Sequence, residues 1–179
     1  MSFTVAQIRK RVDDVLKTLE IEEPAVDVER VAEFLQADVI KKDLDQDVSG
    51  FLLIAGGKRT IAVNNEHLSN RQRFTIAHEL GHLMLHALDQ DEDNVFVDRK
   101  VFNRNSDASQ GVYRQEIEAN RFAAELLMPK KLLLKAIDDL GDEIDLSDDE
   151  TLRDLASKFG VSTQAMAIRL TSLDIAPVI

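Results

Sequence analysis

The 179-residue chain contains no cysteine. Disulfide staples, thiolate metal sites and cysteine nucleophiles are therefore excluded, and the usage fits a reducing compartment. No uninterrupted apolar stretch approaches the roughly 18 residues needed to span a bilayer. The start, Met1-Ser2-Phe3-Thr4-Val5, carries neither a basic leader nor an apolar signal core. A cytoplasmic protein with no membrane partner is the expectation. Positive charge is also in short supply: 22 Lys+Arg stand against 33 Asp+Glu, and a net charge of −11 repels phosphate backbones over most of the surface. Direct DNA binding would need a local basic patch. No repeat recurs at a fixed period, and the one compositional bias is the acidic run 142–150, which reads as a solvated connector.

What is present is the composition of a globular protein, 44% hydrophobic and 31% charged, at a length that suits one domain or a main domain with a small appendage. Val5, Ile8, Val12, Val15, Leu16 and Leu19 recur at helical spacing behind Thr4, a good N-cap. A second short helix is expected from Asp27, after the break at Pro24. Extended segments follow at 38–42, 49–55 and 59–64, the last two joined by Gly56-Gly57-Lys58, whose glycines supply the positive φ of a tight hairpin. Together they predict a small antiparallel sheet with 59–64 at its edge. Helical pattern returns at 69–88, the stretch 89–111 reads as a long loop with some extended structure, and another helix is expected over 112–127. Pro129 fits the first turn of the helix after that, which ends near Gly141. The remainder reads as two short helices broken at Gly160-Val161, with Ser162 as the second N-cap. The fold class is α+β, mostly α.

One helix carries chemistry. His78-Glu79-Leu80-Gly81-His82 places two histidines four apart on one helical face, so that both imidazoles can reach one Zn²⁺ at about 2.0 Å. Glu79 stands beside the first histidine, where it can take a proton from a water attacking a carbonyl. The bland alternative, two satisfied core histidines, is disfavoured by the spacing together with the glutamate. His86 continues the row but lies about 12 Å along the axis from His78, too far to share the ion. It is read as a group orienting a ligand, a group facing substrate, or simply a helix-end residue. The third ligand is sought on another helix, where Glu116-Ile117-Glu118-Ala119-Asn120 offers two carboxylates. Glu116 is preferred as ligand, with Asn120 one turn on to hydrogen-bond and orient a ligating histidine. Glu118 lies about 200° round the axis from Glu116 and reads as a solvent-facing acid. Nitrogen and carboxylate donors suit zinc and also Mn²⁺.

These segments resemble the ImmA/IrrE family of zinc metallopeptidases. The resemblance rests on Arg71-Gln72-Arg73-Phe74-Thr75-Ile76-Ala77 leading into the His78–His82 motif, on Glu116 through Pro129, and on the hairpin lead-in Ser49-Gly50-Phe51-Leu52. It implies a zincin-like helix bundle with a short sheet over residues 1–141, with zinc held by His78, His82 and Glu116 and with Glu79 as general base. It also implies a substrate: a helix-turn-helix repressor encoded nearby, whose cleavage would derepress stress, mobile-element or toxin-antitoxin genes. Residues 151–179, beyond the connector, resemble a helix-turn-helix. Their charges are balanced, with Arg153, Lys158 and Arg169 matched by Asp154, Glu150 and Asp174, so docking rather than DNA binding is expected of them. Tyr113, His86 and His67 are candidates for oxyanion or substrate contacts. A non-catalytic metal module that grips the repressor, and a DNA-binding regulator acting through the tail, are the competing readings.

Overall fold

The computed structural model describes residues 2–87, 94–99, 107–141, 146 and 148–175. Among these residues seven α-helices and four strands run in the order α1 (Val5–Thr18), α2 (Val28–Phe34), β1 (Ala37–Lys42), β2 (Val48–Ala55), β3 (Lys58–Asn64), α3 (Ser69–His82), β4 (Asn94–Arg99), α4 (Asp107–Leu127), α5 (Lys130–Asp138), α6 (Asp149–Phe159) and α7 (Thr163–Ser172). Thr4 caps α1 through a reciprocal capping box with Gln7, and Asp27 caps α2 by accepting from the amides of Glu29 and Arg30. No described helix is long and apolar enough to cross a membrane.

The sheet order is β1-β3-β2-β4. β2 and β3 form the expected hairpin through Gly56 and Gly57, at φ 56° and 76°. Two features differ from the sequence reading. β1 pairs with β3 in parallel, so the sheet is mixed rather than antiparallel. The stretch read as a long loop with some extended structure contributes a full strand, β4, which pairs antiparallel with β2. Residues 59–64 are consequently central, and the edges are β1 and β4. The alternation Val95-Phe96-Val97 was the signal for the extra strand; Val101-Phe102 lies outside the described residues.

α3 is the central element, packed against α2, α4, β2, β3 and β4. Every residue from Thr75 to His82 is buried, so this helix lacks the polar stripe of a surface helix and its imidazoles and carboxylate are enclosed on all sides. Arg71 Nη2 donates to Ser49 Oγ at 2.6 Å and ties the start of the helix to β2. Arg73 donates from Nη2 to the Val26 carbonyl and from Nε to the Gly160 carbonyl, at 2.9 and 3.2 Å, joining the α1–α2 connection to the turn between α6 and α7. Past His82 the helix widens into a single π-helical turn, Leu83–Ala87.

α4 begins at Asp107, five residues before the expected start. α5 starts one residue later than expected, because Pro129 has an extended ψ of 131° and sits at the N-cap position. In the acidic run, residues 142–145 and 147 lie outside the described ones. Asp148 and Ser162 cap α6 and α7. Leu155, Phe159, Met166 and Leu170 belong to the same apolar core as α1, α3 and α4. The pairing of tail charges departs from the sequence reading. Arg169 is matched by Glu125 of α4, at 3.0 and 2.6 Å through two nitrogens, rather than by Asp174, and Arg153 lies 3.8 Å from Asp149. Burial was the missing information: Arg169 and Glu125 are 5% and 3% exposed, and an enclosed charge demands a partner in direct contact.

Arg9 of α1 also reaches Glu125, at 3.0 Å, so one carboxylate clamps three helices. Burial pushes the Glu125 pKa up, but hydrogen bonds from Arg169 and Arg9 outweigh it and hold the carboxyl below its ordinary value of 4.5. Its stabilisation is therefore complete above pH 4.5 and is lost as pH falls through the lower folded-state value. Glu125→Ala is expected to cost about 3–5 kcal/mol in urea denaturation at neutral pH, since it strands buried Arg169. The gap between wild type and Glu125→Gln should shrink as pH is lowered below that point.

Candidate metal centre

The site depends on how closely α3 and α4 approach. A Cβ on Gly81 would lie 2.9 Å from Ala119 Cα, 3.0 Å from its carbonyl oxygen and 3.1 Å from Phe122 Cβ. Glycine facing alanine thus lets the two backbones meet, and the carboxylate one turn before Ala119 reaches across to α3. Glu116 Oε2 is 3.1 Å from His78 Nε2, Glu116 Oε1 is 3.1 Å from His82 Nε2, and the two imidazole Nε2 atoms are 3.1 Å apart. Among the described residues these three are the group that could hold a metal ion.

Their spacing fits a metal. Three donors at about 2.1 Å from a tetrahedral ion are about 3.4 Å apart, close to the separations found. The three donors lie in a buried place, the histidines each 2% exposed, and could hold a cation between them. Burial alone would raise the Glu116 pKa, yet hydrogen bonds from His78 and His82 hold it at about 2. The carboxylate is ionised throughout the physiological range. Asn120 Oδ1 lies 3.2 Å from His78 Nδ1. An amide oxygen there accepts a hydrogen bond from Nδ1–H in the tautomer that leaves the Nε2 lone pair for ligation. Aromatic rings flank the pair: Phe96 of β4 stacks on His82 at 5.0 Å, and Phe74 lies 6.2 Å from His78. Glu79, fully buried, follows His78 in sequence on the same helix.

The structure therefore brings together His78, His82, Glu116 and Asn120, with Glu79 adjacent. Tyr113 lies one turn before Glu116 and is 55% exposed. His67 lies in the connection between β3 and α3. Its backbone is engaged, its carbonyl accepting from Gln72 Nε2 at 2.9 Å.

His86 and Glu118 depart most from the sequence reading. Glu118 is 3% exposed rather than solvent-facing. It accepts from Ser2 Oγ at 2.8 Å and from the Phe3 amide at 3.0 Å, and its other oxygen is 3.8 Å from His86 Nε2. The π-helical turn carries His86 toward this carboxylate, where Phe3 packs edge-on against the imidazole. Burial first, then neighbouring His82, pushes the His86 pKa down, opposed by Glu118. The helical wheel placed Glu116 and Glu118 on opposite sides of α4 correctly; it could not show that both sides are covered. Phe96 was also missed as a neighbour of the site, its only signal being the extended pattern around it.

A buried donor set of this composition could hold a metal ion, as the metallopeptidase-like class of hydrolases requires. The chain belongs to a family of that class, Peptidase_M78, the IrrE N-terminal-like domain, whose sequence profile matches residues 32–171. It is similar to the uncharacterized immunity region protein 2 of Bacillus phage phi105, 29% identical over 99 residues that cover 55% of this chain and 56% of that protein. A Mycobacterium tuberculosis transcriptional regulator of known structure shares the fold, with a TM-score of 0.60 at 18% identity, over 92% of this chain and 46% of that one. The chain thus spans about half the length of these two proteins.

Two substitutions test the geometry. Gly81→Ala should force α3 and α4 apart and weaken binding of zinc, used as a probe ion in chelator competition, with the helical circular dichroism retained. Asn120→Ala should weaken the same binding by about 10–100-fold, the usual cost of losing a ligand's orienting partner.

Proposed function

We propose that the protein is a zinc-dependent endopeptidase, with Mn²⁺ as the alternative ion, acting on a helix-turn-helix repressor in the cytoplasm. The observation that carries this reading is the convergence of His78, His82 and Glu116 at 3.1 Å spacings beside buried Glu79. When bound, zinc would polarise the scissile carbonyl and lower the pKa of a water for attack. Glu79 accepts the proton released as the water oxygen bonds to the carbonyl carbon, and passes it to the amine as the C–N bond breaks. His78 and His82 are held in register by the helix, and Asn120 fixes the His78 tautomer. The extended substrate adds to β4, the sheet edge whose Phe96 stacks on His82. A repressor as substrate is supported by the family and by the likeness to an immunity region protein of a phage.

In this reading residues 1–141 form the peptidase body, 142–150 the connector and 151–179 an appended helical segment. The tail's role is docking. α7 carries one arginine, Arg169, whose guanidinium is buried against Glu125 and unavailable to phosphate.

Glu79→Gln tests the assignment. Cleavage of a co-encoded repressor by the purified protein with added zinc should fall by about 10²–10⁴-fold, with metal content unchanged. Equal cleavage by wild type and variant would remove Glu79 as base, and binding without cleavage by wild type would favour a non-catalytic module.

A further inference from the structure

Beyond His82 the active helix departs from α geometry. An unbroken α-helix would add His86 to the row of His78 and His82, turning about 40° and rising about 6 Å at each step. The π-helical turn Leu83–Ala87 interrupts that row, and Arg11 of α1 donates to the Met84 carbonyl within it at 3.0 Å. The His86 side chain is 4% exposed and lies against the His82 ring, 5.6 Å between centroids. It meets α4 at residues on both sides of Glu116 in sequence. Glu118 Oε2 is 3.8 Å from Nε2, and the Gln115 main chain hydrogen-bonds to the ring. Buried Nε2 makes no hydrogen bond among the described residues, so the Glu118 carboxylate is the acceptor it faces.

The other oxygen of Glu118 is taken up by Ser2 Oγ and the Phe3 amide, at 2.8 and 3.0 Å. Phe3 covers the imidazole edge-on at 6.1 Å and is itself covered by Arg11, whose guanidinium carbon stands 4.8 Å from the ring centre. Segment 2–3 is thus a strap that closes the His86–Glu118 contact to water.

The site needs such a contact. Gly81 against Ala119 sets how closely α3 and α4 approach, but two small residues leave sliding and rotation open. A slip of one residue moves a side chain about 1.5 Å along the axis and about 100° round it, enough to destroy the 3.1 Å spacings of Glu116. An enclosed carboxylate resists such movement, because leaving its donors strands a buried charge.

We infer that His86 and Glu118 are positioning residues for the metal centre: their contact, closed by Ser2 and Phe3, fixes the rotation and register of α4 so that Glu116 meets both histidines. The inference rests on the metal-centre reading and is independent of peptide hydrolysis.

Competition between the full chain and a zinc chelator tests it. His86→Phe keeps a ring and removes its donors, and Glu118→Leu removes the acceptor. Each should weaken zinc binding by about 10–100-fold, the usual cost of losing a group that orients a ligand. His86→Gln restores an N–H donor and should recover most of the loss. The visible absorption of bound Co²⁺ should change in His86→Phe and return in His86→Gln. Leu133→Ala, a cavity on α5, which supplies no site residue, should lower Tm and leave zinc affinity unchanged. Were both site variants to fail to fold, Phe3→Ala decides, since uncovering the pair should weaken zinc binding in the same direction. Unchanged zinc affinity in the site variants, no recovery in His86→Gln, or an equal loss in Leu133→Ala overturns the proposal. Wild type that binds no zinc removes the metal centre and this proposal with it. Zinc binding that responds as expected, without cleavage of any repressor, removes the protease alone.

Discussion

The contact between Gly81 and Ala119 is the constraint on which the site rests. α3 supplies two imidazoles in fixed relation, but a helix cannot bend back to provide a third donor at the same point. The carboxylate must cross from α4, and the length of a glutamate side chain sets how far the two backbones can be separated. With a Cβ only 2.9 Å from the opposing Cα, position 81 has no room for a side chain. Local sequence, helix packing and ligand geometry are therefore one requirement, met at a single pair of small residues.

Around that contact the molecule handles buried charge by a consistent rule. Each enclosed ionised group on α4 has partners from other elements: Glu116 meets α3, Glu118 meets the segment before α1 and the π-helical turn, and Glu125 meets α1 and α7. Three carboxylates on one helix thus fix it against its neighbours in direction as well as in depth, which apolar packing alone does not do. The same rule decides what the tail can do. Its resemblance to a helix-turn-helix is a likeness of two capped helices and a left-handed glycine turn. Arg169 is engaged by Glu125 and holds α7 to the core.

Legibility followed range. Helices α1 and α7 are readable with their N-caps Thr4 and Ser162, and α2 and α6 from their apolar period, because a cap and an apolar period are both local. The β2–β3 hairpin was readable for the same reason, from two glycines between extended runs. What failed was nonlocal. The sequence reads 89–111 as a long loop with some extended structure, since a six-residue strand with polar flanks is defined by the β2 edge it joins. The sheet edge is misplaced for a second nonlocal reason: β1 pairs with β3 and makes 59–64 central. Glu118 was assigned to solvent because a helical wheel reports which residues share a face and says nothing about what covers the face.

The sequence by itself determined the pair of imidazoles and the glutamate beside them, because one helical repeat fixes their relation whatever the fold. It also narrowed the third donor to one face of one later helix. The tertiary structure alone decided that this face meets α3, that Asn120 lies against His78, and that Arg169 is consumed by Glu125. These are contacts between elements tens of residues apart, and no local spacing encodes how closely two helices will approach until the whole core has packed.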